Sequence, residues 1–303
     1  MNRSALALVV TAFASGCAHP AAQVVSPHAA PTTTPVPAAS ATPAPGPTLP
    51  RRLTELPFEL HPEFAEEFAA EHVNGAIALF DSASNILSCS DEARCRQPRH
   101  PASTFKIANS IIALETGVVA EPESPLPWDG KTYDVPDWNR DHTLRTAIQV
   151  SCVPCFQGIA RQVGEARMGE WVRKLEYGNF DISGKIDTFW LVGALRITPV
   201  EELDFLRRLD RAELPIQPFV RDMVIDMITL DVGDDYVLRG KTGALLPPEA
   251  ELTGWFVGWV ERDARRVYFA TLVDTVEPDI DFLKSRRRVT ERVLRRLALL
   301  PPV

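Results

Sequence analysis

The chain has 303 residues, 45% hydrophobic and 24% charged, which suits a folded soluble protein of one large domain or two. Its formal net charge of -8 argues against nucleic acid or an anionic membrane surface as a partner. An anionic ligand would have to be met by local cations, for which Lys241 and the run Arg286-Arg287-Arg288 are the candidates.

The chain starts with an export signature. Asn2-Arg3 is a short polar start, and Ala5 to Ala14 is apolar but too short to anchor in a bilayer. Small residues then lead to Cys17, an order that resembles a bacterial lipoprotein signal in which that cysteine is lipidated. Ala14 stands where such signals usually carry leucine, so secretion with cleavage nearby is the alternative. Residues 1–17 are therefore expected to direct export to the periplasm, with the lipidated form held at the outer membrane. Residues 18–54 are rich in Ala, Pro and Thr and cannot build a core. They are expected to be an extended tether of about 3.1 Å per residue, reaching up to about 100 Å.

The folded domain is expected over residues 55–303. Gly75 to Phe80 reads as a buried strand and Asn85 to Ser88 as its hairpin partner. Ser103 to about Val118 predicts an apolar helix that ends near Gly117. From about 128 to 230 the periodicity is mostly helical, interrupted at Pro136, Pro154, Pro199, Pro215 and Pro218. Three strands follow, Tyr236 to Thr242, Thr253 to Glu261 and Val267 to Asp274, then a helix from about Ile280 to Leu300. Strands at both ends with helices between them give an α/β (α+β) class: one antiparallel sheet flanked by helices and interrupted by an all-helical insertion. The active site is expected in the crevice between the two parts.

Without Cys17, four cysteines remain: Cys89, Cys95, Cys152 and Cys155, which allow three pairings. Cys89 with Cys95 is the easier pair because a loop joins them. At regular helical spacing Cys152 and Cys155 would hold their Cβ atoms about 5–6 Å apart, too far for a relaxed bridge. No second Cys-x-x-Cys and no His-Glu-x-x-His spacing is present, so no metal is expected.

The segment that carries chemistry is Ser103-Thr104-Phe105-Lys106, which sets a hydroxyl and an amine one helical turn apart. Serine is a weak nucleophile until a base takes its proton, and lysine is such a base only when its charge is removed. Phe105, Ile107, Ile111 and Ile112 supply apolar surroundings for that amine. A Ser-x-x-Lys match alone is common. Lys241-Thr242-Gly243, with Ser151-Cys152-Val153 between the two motifs, makes the set that penicillin-recognising serine enzymes carry.

From about Val73 to Leu300 the chain resembles the class D, oxacillinase-type, serine β-lactamases. The resemblance rests on Pro-Ala-Ser-Thr-Phe-Lys (101–106), Ala-Leu-Glu-Thr-Gly (113–117) and Trp-Asp-Gly (128–130). Ser-Cys-Val-Pro (151–154), Tyr-Gly-Asn (177–179), Asp-Thr-Phe-Trp-Leu (187–191) and Lys-Thr-Gly (241–243) complete it in that order. It implies the serine β-lactamase and penicillin-binding-protein transpeptidase fold, with β-lactams as substrates. Ser103 is the implied nucleophile, and Lys106 the implied N6-carboxylysine, formed with carbon dioxide and serving as general base; no other cofactor is implied. Trp190 would donate to that carbamate or else be a plain core residue, and Val153 and Leu191 would flank it. Ser151 would relay a proton to the lactam nitrogen or else cap a helix ahead of Pro154. Lys241 would ease negative charge along that path. Thr242 and Arg286 would bind the substrate carboxylate, with the arginine register open by one or two positions. Ser103 and Ala244 would supply oxyanion N–H groups, and Gly243 would leave room beside the strand. Two other readings use the same motifs: a penicillin-binding enzyme acting on peptidoglycan peptides, and a β-lactam sensor that stays acylated.

Overall fold

A computed structural model describes residues 52–246, 252–276 and 281–302. The expected signal, Cys17 and all but the last residues of the tether lie outside these. The strands are β1 (Glu59–Leu60), β2 (Asn74–Asp81), β3 (Ile86–Cys89), β4 (Pro125–Leu126), β5 (His142–Thr143), β6 (Thr229–Val232), β7 (Tyr236–Leu245), β8 (Leu252–Arg262) and β9 (Arg265–Thr275). The helices are α1 (Ala65–Ala69), α2 (Glu92–Cys95), α3 (Lys106–Glu115), α4 (Leu144–Gln149), α5 (Val153–Val163), α6 (Glu165–Lys174), α7 (Pro199–Asp210), α8 (Pro218–Met227) and α9 (Phe282–Arg296).

Seven strands make one sheet in the order β1-β3-β2-β9-β8-β7-β6. Its pairs are antiparallel, as expected, apart from the two-residue parallel contact of β1 with β3. Strand side chains alternate between faces, and here both faces are covered. Ala76, Ala78 and Phe80 of β2 join Trp255, Val257 and Trp259 of β8 in one core, with α3 and α7. Ile77 and Leu79 join Phe256, Phe269 and Val273 in a second core, under α1 and α9. Double burial explains why these strands read as continuous apolar runs rather than as alternating ones.

Three expectations need correction. The tether does not reach residue 54: Leu53 is fully buried, and its N–H donates to Asp204 Oδ1 at 3.1 Å. Arg52 joins the same carboxylate at 2.9 Å, so the docked chain starts at least three residues earlier than composition suggested. Before α4 the region 128–230 holds only the 3-10 turn Pro136–Trp138, and residues 175–198 between α6 and α7 form no helix. Backbone polar groups in that stretch are satisfied by loop hydrogen bonds, such as Asn179 N–H to the Arg196 carbonyl. The third concerns cysteine pairing. Cys89 bonds Cys95 as expected, but Cys152 also bonds Cys155, with Cα atoms 5.4 Å apart. Helical geometry does not apply at Cys152, which is the N-cap of α5 with non-helical backbone (φ -55°, ψ 104°).

No described helix is long and apolar enough to cross a membrane. Leu53→Ala empties a fully enclosed site and should destabilise the domain by about 2–5 kcal/mol, read as a lower urea midpoint. An unchanged midpoint would mean that residues 52–55 are not docked.

Candidate active site

The nucleophile turn differs from the single helix expected. Ala102–Phe105 is a 3-10 turn, and α3 proper begins at Lys106. Side chains three apart eclipse in 3-10 geometry, which drops the Lys106 amine directly onto Ser103. Nζ lies 2.6 Å from Ser103 Oγ. Ala102, just before the serine, sits at φ +50°, a left-handed conformation that costs a non-glycine residue about 1–2 kcal/mol.

Burial decides the state of Lys106. The helix α3 is enclosed on all sides from Lys106 to Leu114, and Lys106 itself has no exposed surface. Phe156 of α5 presents its ring 5.5 Å from Nζ, while Trp190 and Phe189 pack on Phe105. Desolvation disfavours the ammonium and lowers the Lys106 pKa to about 7. Burial therefore favours the free amine against the serine hydroxyl far more than for an exposed lysine.

The second lysine closes the other side. Lys241 Nζ donates to Ser151 Oγ at 3.0 Å and to the Thr242 carbonyl at 2.7 Å. Burial, then the charges of Lys106 and Arg286, push its pKa well below the ordinary lysine value. Ser151 does not cap a helix; Cys152 does, its sulfur accepting the Cys155 N–H at 3.2 Å. The hydroxyl of Ser151 is thus spent on Lys241, held there by a left-handed backbone at φ +56°.

Gly243 brings the strand to the nucleophile. A Cβ on it would stand 3.1 Å from the Pro101 carbonyl and 3.2 Å from Ser103 N, tighter than normal contact. β6 covers β7 only between Val237 and Arg239. Beyond that, Thr242 and Ala244 pair with β8 on one side and have no strand neighbour among the described residues on the other, an edge open to an extended substrate. Of the three adjacent arginines, Arg286 reaches β7: its Nη1 donates to the Gly243 carbonyl at 2.7 Å, and burial lowers its pKa to about 10. Arg287 instead pairs with Glu291 and Arg288 with Glu71.

Val153, at the first turn of α5, and Leu191 are half-buried. The indole of Trp190 is fully buried, and its Nε1–H has no hydrogen-bond partner among the described residues. An orphaned buried donor costs roughly 1–3 kcal/mol.

Against known proteins, residues 72–298 match the model of the penicillin-binding protein transpeptidase domain. Beta-lactamase OXA-48 of Klebsiella pneumoniae is 39% identical over 234 residues, 77% of this chain and 87% of that protein. Beta-lactamase OXA-10 of Pseudomonas aeruginosa is 43% identical over 211 residues, 69% and 79% of the two chains. The crystal structure of the class D β-lactamase FUS-1 (OXA-85) from Fusobacterium nucleatum subsp. polymorphum superposes with a TM-score of 0.76 at 32% identity, covering 80% of this chain and all of that one. This chain belongs to the class D serine β-lactamases.

One part of the enzyme's site was not anticipated as such. Glu202 of α7 is fully buried behind the nucleophile turn, accepting from Thr104 Oγ1 at 2.5 Å and from the Tyr177 hydroxyl at 2.9 Å. Tyr177 was flagged only as part of Tyr177-Gly178-Asn179, and nothing near Glu202 in sequence marks it as a partner. Burial raises its pKa to about 7, although both hydroxyls work against that rise. The folded value lies above the unfolded value near 4.5, so the native state binds more protons in that interval and stability falls as pH rises through it. Glu202→Gln keeps an acceptor for both hydroxyls without the charge. Its melting temperature relative to wild type should therefore be higher at pH 8 than at pH 5. A pH-independent difference would place the proton elsewhere.

Proposed function

We propose that the enzyme hydrolyses the lactam amide of penicillin-type antibiotics through an ester on Ser103, and so confers β-lactam resistance. The observation that carries this reading is the Lys106 amine, dry, with its charge disfavoured by burial, and 2.6 Å from the serine oxygen.

A neutral amine adds carbon dioxide, which an ammonium does not, and two features favour a carbamate on Lys106. The pocket is apolar, and the buried Trp190 Nε1–H is a donor without an acceptor among the described residues. Once formed, the carbamate supplies the general base for acylation and for the water that releases product. The remaining residues take complementary roles. Ser103 Oγ bonds to the carbonyl carbon while the backbone N–H groups of Ser103 and Ala244 hold the oxyanion, each donor contributing about 3–4 kcal/mol. The ring C–N bond breaks, and Ser151 passes a proton to the departing nitrogen, with Lys241 behind it. Thr242 and Arg286 receive the substrate carboxylate on the open edge of β7. Val153 and Leu191 govern how water reaches the ester.

Four outcomes check this reading. Ser103→Ala should abolish covalent penicillin labelling; labelling at the wild-type rate would refute the nucleophile. Lys106→Ala should leave at most slow acylation and almost no release, and nitrocefin should then give a single burst instead of steady turnover. Wild-type protein giving only a burst would favour the sensor or penicillin-binding reading. Below about pH 7 the amine takes a proton, so kcat/KM should fall on the acid side with a midpoint near 7, and added bicarbonate should restore part of it. A flat profile, indifferent to bicarbonate, would remove the carbamate. We also propose export with lipidation at Cys17; detergent-phase partitioning should disappear in Cys17→Ser.

A further inference from the structure

The bond between Cys152 and Cys155 lies inside the motif that supplies Ser151 and Val153. The mechanism makes no use of it. Its two sulfurs differ in access. Cys152 is fully buried, whereas Cys155 is half-buried and forms part of the wall of an open cleft with Trp128, Trp138, Arg140 and Arg161. The other disulfide offers no such access, since Cys89 and Cys95 are both fully buried. Cys152-Val153-Pro154-Cys155 is a Cys-x-x-Cys opening a helix, an arrangement that stabilises a thiolate at the helix N-terminus. The Cys152 sulfur already accepts the Cys155 N–H at 3.2 Å, and the His142 ring lies within 4.8 Å of both sulfurs.

We propose that Cys152–Cys155 is a reducible switch, opened by an external dithiol that attacks Cys155 from the cleft, and that its state sets the position of Ser151. The reagent's thiolate bonds to Cys155 Sγ, the S–S bond breaks, and its electron pair leaves on Cys152 Sγ. The N–H groups at the start of α5 receive that charge, and a proton arrives from water. The reagent's second thiol then displaces Cys155, so the dithiol is oxidised to a disulfide and the protein gains two thiols. The cleft's arginines favour an anionic thiol reagent.

The link to Ser151 is backbone. Ser151 is held at φ +56°, and the next residue is stapled to the first turn of α5. Opening the staple releases one constraint on a strained turn, and the Ser151 hydroxyl loses its fixed place 3.0 Å from Lys241. This second half rests on the role proposed above for Ser151.

The test uses native full-length protein treated with glutathione or dithiothreitol, quenched with iodoacetamide and mapped by peptide mass spectrometry. Cys152 and Cys155 should become alkylated at least tenfold faster than Cys89 and Cys95. Brief glutathione treatment should yield the adduct on Cys155 with Cys152 alkylated. Equal rates for both pairs, resistance until global unfolding, or an adduct on Cys152 would overturn the proposal. In parallel, reduced protein should lose at least threefold in nitrocefin kcat/KM, recovered on reoxidation with oxidised glutathione, while Cys152→Ala/Cys155→Ala no longer responds to dithiol. Equal turnover in the two states would overturn the coupling to Ser151. If neither state turns over nitrocefin, the hydrolase reading fails instead, and the labelling pattern still decides the thiol chemistry.

Discussion

Removal of water from one lysine amine is the constraint around which the domain is organised. Lys106 begins a helix that is buried on every side, so its charge has no hydrated route outward. Phe105, Phe156 and Trp190 wall it with rings. No carboxylate pairs with it among the described residues; its hydrogen-bond partner is the Ser103 hydroxyl. A partner acid would have restored the ammonium and ended its use as a base. The fold instead accepts a destabilised amine, consistent with the rule that strongly perturbed groups gather where chemistry is done.

The same logic extends outward in layers. Lys241 is pushed down by burial and by its two cationic neighbours, yet it keeps two hydrogen-bond acceptors that hold it on the path from Ser151. Gly243 lets the strand edge approach the nucleophile turn, and Arg286 anchors on that glycine's carbonyl from the other side of the sheet. Glu202, Thr104 and Tyr177 brace the turn from behind with a carboxyl group that burial biases toward its neutral form. Strain appears at Ala102 and Ser151, the residues that aim the two hydroxyls.

Much of this was legible in the chain because local signals and tertiary demand agreed. The strands β2, β8 and β9 agree closely with the sequence reading since doubly buried strands are long apolar runs between turn residues. Ser103, Lys106, Ser151 and Lys241 were found through motif order, and the structure brings all four together. What escaped depended on contacts across long separations. Leu53 looked like the end of a proline-rich tether because its partner, Asp204, lies 151 residues away. Glu202 resembled an ordinary surface glutamate beside Glu201, which does serve as the partner of the Thr198 cap. The Cys152–Cys155 bond was dismissed on helical spacing, whereas one non-helical residue ahead of Pro154 was enough to permit it. The short edge strands β1 and β6 carry no signal beyond their pairing.

The most direct measurement of the central claim is carbon-13 NMR of the enzyme in labelled bicarbonate at pH 7.5. The account predicts a protein-bound carbamate resonance that disappears on acidification and is missing from Lys106→Ala. A spectrum with no carbamate signal, from protein whose Lys106 titrates as an ordinary surface amine, would contradict it.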